Sequence, residues 1–253
     1  MTKAKNLTFV CNWKMNPKTR DKAEKLFSQT KSLFIGTRGL QAIICPPMPF
    51  LPLFKSNSKT VLLGVQTHSA HDEGAHTGEY SAQMAREAGA TAVILGHSEM
   101  RAVTDTNELV NEKLKHALKS GLAPILCVGE KKRDAEGFYL HELKEQITVA
   151  LSGIPRAKLG AVLFAYEPVW AIGQAATRQT TPEECQESVI FIKKIIADMY
   201  DPKVIEGIKF LYGGSVDEKN AELFIKFGGV SGLLIGRACL DSKKLAKIIK
   251  SIS

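Results

Sequence analysis

Eight short apolar runs punctuate the chain: "LTFVC" near 7, "AIIC" near 42, "VLLGV" near 61, "AVILG" near 92, "PILCVG" near 124, "AVLFAY" near 161, "IKFLYGG" near 208 and "GLLIG" near 232. Each is bounded by turn or polar residues, and none alternates strictly with polar positions. Alternation marks a strand with one wet face; its absence suits strands buried on both faces, as in a parallel sheet. Amphipathic stretches lie between the runs. In "TRDKAEKLFSQTKSLF", Ala23, Leu26 and Phe27 share a face, with Thr30, Leu33 and Phe34 further along. "DTNELVNEKLKHALKSG" opens on Asp105, expected as the helix cap, and stops at Gly121. "TPEECQESVIFIKKIIADMY" has Thr181 as cap, Pro182 in the first turn and acids just inside, a strong helix start. "DEKNAELFIKFGG" and "DSKKLAKIIKSI" follow the same logic. Eight strand-then-helix units predict an α/β chain closed into a (β/α)8 barrel. The rival, an open doubly wound sheet, often carries G-x-G-x-x-G after its first strand, and nothing of that kind follows "LTFVC". No linker or shift of composition divides the chain, so one catalytic barrel domain over residues 1–253 is expected.

The chain has 253 residues and is 44% hydrophobic, enough for a full core. No apolar stretch approaches the roughly 20 residues of a membrane helix. The start, "MTKAKNLTFVCNWK", lacks the apolar region and cleavage site of a signal peptide. There are five cysteines and no C-x-x-C; Cys11, Cys45, Cys127 and Cys239 sit in or beside apolar runs and read as reduced core residues. A cytoplasmic location is the expectation. The formal net charge of +8 favours anionic partners: nucleic acid, a membrane surface or a phosphorylated metabolite. The basic residues are dispersed, and the tight run Lys131-Lys132-Arg133 has no interleaved aromatics. Neither nucleic acid nor membrane is therefore expected as a partner.

A barrel gathers its functional residues where strands end, because the βα loops meet on that face. The first strand ends in "CNWKMN", the fourth in "GHSE" and the sixth in "YEPVW"; the seventh ends in "YGGS" and the eighth in "IGR". Asn12, Lys14, His97 and Glu167 are the polar groups on these ends: an amide donor, a cation, an electrophile and a base. Singly, each has a plain structural explanation; together they form a set. Glu167 ends the apolar run of "VLFAYEPVWAIG", with Pro168 fixing the backbone beside it. Gly213-Gly214-Ser215 and Gly236-Arg237 offer backbone N–H groups, the second pair at an expected helix N-terminus, and a phosphate often lies between these two loops of a barrel. His68, His71 and His76 lie close in sequence, but no recognisable ligand spacing is completed, so no metal is expected.

The segments "NWKMN", "VILGHSEMR", "CVGE", "AYEPVWAIG" and "LYGGSV", in this order along nearly the whole chain, resemble the triosephosphate isomerase family. That resemblance implies the TIM-barrel fold and interconversion of dihydroxyacetone phosphate and glyceraldehyde 3-phosphate through an enediolate, in glycolysis and gluconeogenesis, with neither metal nor cofactor. It implies Glu167 as the base, His97 as the electrophile, Lys14 as the positive charge and Asn12 as a hydrogen-bond donor. Gly173, Ser215, Gly236 and the backbone of Arg237 match phosphate-binding positions, and Glu99 matches a supporting acid. "GAHTGEY", with Thr77 and Gly78, resembles the loop that reaches into a partner subunit, so a homodimer is implied. The chain departs from the family pattern at three places. The lid, residues 173–181, reads "AIGQAATRQTTPEE" across its region where the family usually has Ala-Ile-Gly-Thr-Gly-Lys. Arg237 stands where a second glycine is common, and His76 where Phe is. Two alternatives remain open on the residues: another sugar-phosphate barrel enzyme, such as an aldolase using Lys14 as a Schiff base, and a catalytically weakened relative acting as a binding protein.

Overall fold

The structure, a computed structural model, describes residues 6–56, 58–173, 176 and 178–252. Its strands are β1 (Leu7–Asn12), β2 (Leu40–Cys45), β3 (Val61–Val65), β4 (Ala92–Leu95), β5 (Ala123–Val128), β6 (Leu163–Tyr166), β7 (Lys209–Tyr212) and β8 (Gly232–Ile235). Each pairs in parallel with the next, and β8 returns to β1 through registers such as Cys11 against Ile235, which closes the barrel. Every predicted apolar run is one of these strands. The open-sheet alternative is excluded, and closure leaves no unpaired edge.

The missing alternation has its cause in two separate cores. Val10, Ile43, Ile94, Ile125, Ala165, Leu211 and Leu234 pack inside the barrel, with Cys45 and Cys127 among them. A larger cluster, with Phe9, Phe34, Leu114, Ile147, Phe164, Ile192 and Ile248, fills the layer between strands and helices. Successive strand residues therefore face one core or the other, and both faces are dry.

The helices are α1 (Arg20–Phe34), α2 (Ala82–Glu87), α3 (Ser98–Arg101), α4 (Asn107–Lys119), α5 (Tyr139–Ala150), α6 (Pro182–Met199), α7 (Ala221–Phe227) and α8 (Ser242–Ser251). α6 starts as expected: the Thr181 side chain accepts from Glu184 N, and the Glu184 side chain reaches back to the Thr181 N–H. The expected cap of α4 is corrected. Thr106 caps it, accepting from Leu109 N, whereas the buried Asp105 pairs with the Lys113 ammonium at 2.7 Å. A buried ammonium needs a carboxylate more than a helix end needs one of two adjacent caps. α5 begins without a side-chain cap from Phe138 itself; the Asp134 carboxylate, four residues earlier, accepts from the Phe138 and Tyr139 N–H groups instead. Among the described residues, no helix is long and apolar enough to cross a membrane.

Candidate active site

A cavity of about 790 Å³ opens where the strands end. Asn12, Lys14, His97, Glu99, Glu167, Gly173, Ser215, Gly236 and Arg237 all line it, so the residues expected to handle substrate converge on one pocket. Thr77 and Gly78 lie apart, on the exposed loop between β3 and α2.

Glu167 follows directly on β6. Its N–H donates to Val128 O on β5 at 2.8 Å, and Gly213 N–H donates to Tyr166 O at 2.8 Å, so strand pairing continues on both sides of it. Glycines make that close packing possible. A Cβ on Gly129 would sit 1.7 Å from Glu167 O, and one on Gly213 would sit 2.8 Å from Glu167 Cγ. Glu167 ends up 2% exposed. One carboxylate oxygen accepts from Ser98 N–H at 2.9 Å, and the other is 3.3 Å from His97 Nε2.

His97 is the N-cap of α3, and its Nδ1 accepts from Glu99 N–H at 3.2 Å. A ring nitrogen that accepts carries no proton, so the imidazole holds its proton on Nε2, the nitrogen beside Glu167. Lys14 is held from several directions. Its backbone lies in the left-handed region at φ 52°, a conformation that costs a non-glycine residue about 1–2 kcal/mol. Its N–H donates to Asn12 Oδ1 at 3.0 Å, its carbonyl accepts from Gln66 Nε2 at 2.8 Å, and its ammonium reaches Glu99 Oε1 at 2.6 Å. These contacts offset the strain and aim the cation into the cavity.

On the other wall, Ser215 Oγ donates to Ala171 O at 3.3 Å and Asn220 Nδ2 donates to Ser215 O at 3.0 Å, which ties the loop after β7 in place. The expected helix start at Gly236-Arg237 is present, as a short 3-10 helix with Gly236 at its N-cap. Arg237–Leu240 form a single 3-10 turn, and α8 starts only at Ser242, where the Asp241 side chain accepts from Lys243 and Lys244 N–H. The acid at 241 caps α8, and Gly236 and Arg237 line the cavity from the 3-10 turn before it.

Sequence reasoning passed over a hub beneath Glu167. Glu130, fully buried just after β5, accepts through Oε1 from Tyr166 OH and Trp170 Nε1, each at 2.8 Å. Burial pushes its carboxyl above the ordinary range, against these donors and the Arg133 guanidinium 3.5 Å away. The hub thus braces both the strand before Glu167 and the segment after it. The signal was available, because "CVGE" ends an apolar run on an acid just as "AYE" does. Gln66 and Arg101 were also missed. Arg101 fixes the loop after β4 by donating to Gly96 O at 2.8 Å and Asn107 Oδ1 at 2.7 Å.

Of the lid, residues 174, 175 and 177 lie outside the described residues. At its far end, Arg178 lies over the Trp170 ring at 4.3 Å and grips Glu184 with two bonds of 2.5 and 2.9 Å. His71 and His76 stack at 3.8 Å between centroids, His68 is buried, and no group among the described residues has a metal-ligand arrangement.

A closed (β/α)8 barrel with an acid, an imidazole and an ammonium at the ends of its strands belongs to the class of barrel enzymes. The model of the family described as "Triosephosphate isomerase" matches residues 7–252. The chain is 37% identical over 246 residues to the triosephosphate isomerase of Dictyoglomus thermophilum, covering 96% of this chain and 98% of that one. It is 38% identical over 248 residues to that of Aquifex aeolicus, with the same coverage, and 38% identical over 244 residues to that of Herminiimonas arsenicoxydans, covering 95% and 96%. The chain belongs to the triosephosphate isomerase family.

Proposed function

We propose that this enzyme interconverts dihydroxyacetone phosphate and D-glyceraldehyde 3-phosphate, with Glu167, His97, Lys14 and Asn12 carrying the chemistry. The observation that carries the reading is the meeting of the Glu167 carboxylate with the Nε2 side of His97 at 3.3 Å, inside a pocket whose lining also includes Gly173, Ser215, Gly236 and Arg237. Bound by its phosphate to Gly173, Ser215, Gly236 and the Arg237 N–H, the substrate lays its carbonyl and hydroxyl carbons between base and imidazole. Glu167 removes the proton from C1 of the ketose, and the electron pair moves through the new C1–C2 double bond onto the carbonyl oxygen. His97 Nε2–H donates to that oxygen as charge develops, and the Lys14 ammonium lowers the energy of the enediolate. Glu167 returns the proton to C2, while His97 passes a proton between the two oxygens. A nearly dry carboxylate is not levelled by hydration, and a fixed donor costs no reorganisation during reaction.

Glu99, 62% exposed at its side chain, supports Lys14 in this reading. Their 2.6 Å pair holds the Lys14 side chain in place at the cavity. We further propose a homodimer. Thr77 and Gly78 project on an exposed loop, and Met15, Val103 and Met84 stand 92%, 79% and 52% exposed, apolar surface of the kind a second copy covers. The five buried, unbridged cysteines fit a reducing compartment such as the cytoplasm.

The test is a coupled assay of the purified protein in both directions, repeated in deuterium oxide. Interconversion, with deuterium incorporated at the carbon that receives the proton, is the expected result. A folded protein that does not interconvert the triose phosphates overturns the reading. A borohydride-trapped adduct on Lys14 turns it toward an aldolase.

A further inference from the structure

The wall of the cavity formed after β7 and β8 carries more positive charge than one phosphate seat uses. Lys219, Arg237 and Lys244 all line it and all are exposed. None of the three side chains has a hydrogen-bond or ion-pair partner among the described residues. The acids on the same wall are already engaged: Asp217 Oδ1 accepts from the Lys219 and Asn220 N–H groups, and Glu218 faces Lys247 at 3.8 Å. Across the cavity, Lys14 is neutralised by Glu99, and Glu167 is held by Ser98 and His97. The cavity, at about 790 Å³, falls in the range of roughly 300–1,000 Å³ that takes drug-sized ligands, and a triose phosphate is far smaller than those.

We infer that Arg237, Lys244 and Lys219 form a second anion subsite beside the main-chain phosphate seat, and that the pocket therefore binds compounds with two phosphoryl groups as competitive inhibitors. This rests on the phosphate seat read above. The first phosphoryl group takes the amides of Ser215, Gly236 and Arg237. The second meets the Arg237 guanidinium, whose planar donors match a phosphoryl edge, with the two ammonium groups adding charge. A ligand with one phosphoryl group leaves this subsite unused.

The probes are inorganic phosphate and inorganic pyrophosphate, measured as inhibitors of the full-length enzyme at fixed ionic strength without divalent metal. Both are expected to compete with substrate, pyrophosphate with an inhibition constant lower by about tenfold or more. In Arg237→Gly with Lys244→Ala, that ratio is expected to fall to near one. Lys243→Ala, one residue away on α8 and outside the cavity lining, is expected to leave it unchanged. The inference is overturned if pyrophosphate binds no more tightly than phosphate, if the double variant keeps the ratio, or if Lys243→Ala lowers it as far as the double variant does. If phosphate itself fails to compete, the phosphate seat of the proposed function falls. If phosphate competes and pyrophosphate gains nothing, only the second subsite falls.

Discussion

On the β4–β6 side of the barrel mouth, Glu167 and His97 are 2% and 7% exposed, and the bonds of each reach fixed backbone groups. On the β7–β8 side, Ser215, Lys219, Arg237 and Lys244 stand in solvent, and the structure offers mostly main-chain amides and unpaired cations. The contrast follows from what each side has to do. Proton transfer depends on position to a fraction of an ångström and on exclusion of water, which burial and saturated hydrogen bonding provide. Attraction of a dianion depends on charge summed over a wall, and exposed side chains supply that without a fixed geometry.

Removal of the base breaks the comparison most sharply. Glu167→Gln keeps the size and the bond from Ser98 but cannot take a proton. A loss of about 10³-fold in kcat, with KM little changed, is expected from a general base of this kind. A KM rise with kcat retained would move Glu167 from chemistry to binding. His97→Gln comes next. Its amide can still donate but cannot pass a proton between the two substrate oxygens as an imidazole can, and a kcat loss of about 10²-fold is expected. The check is steady-state kinetics in both directions; an unchanged kcat would leave the imidazole without a chemical part.

How much of this was written in the sequence differs between the two sides. The strands were legible because each is an apolar run with both faces dry, and the polar residues ending them fell into one cavity because a barrel has one face of carboxyl-terminal strand ends. Glu130 was not singled out, although its run ends as that of Glu167 does. Its partners, Tyr166 and Trp170, come from the neighbouring strand and loop, and no local pattern shows which acid meets which ring. Asp105 and Thr106 are both good caps standing side by side, and only the position of Lys113 in the folded chain decides between them. The helix start at Gly236 was legible, but not that it opens only a short 3-10 helix; Asp241, itself a strong cap, starts α8 separately beyond it.

Glu130 yields the third prediction, on the buried side. Glu130→Ala removes the acceptor shared by two buried donors and should cost about 1–3 kcal/mol of stability in denaturant melts. Glu130→Gln keeps an acceptor and removes the titration. Burial raises the carboxyl's pKa in the folded protein, so the native state holds a proton that the unfolded chain has already released. Stability contributed by that proton is present at low pH and declines as pH rises from the usual carboxylate range through the raised value. The wild-type protein should show this decline and Glu130→Gln should lack it. Equal slopes in the two proteins would mean that Glu130 ionises no differently folded and unfolded.

The smallest effect separates the two sides by their response to salt. Screening over about 8–10 Å at physiological ionic strength weakens the pull of exposed cations on an approaching dianion. It barely reaches a carboxylate and an imidazole in van der Waals contact with the protein. As salt rises from low to physiological levels, kcat/KM should therefore fall several-fold while kcat stays nearly level. Sulfate and phosphate salts would occupy the phosphate seat directly, so the titration uses chloride. Lys219→Ala should flatten the kcat/KM slope without touching kcat, because it thins the charge on one wall and leaves the other wall intact. A kcat that fell in step with kcat/KM would show that ions reach the proton-transfer side, and the division between a dry reacting wall and a wet attracting wall would not hold.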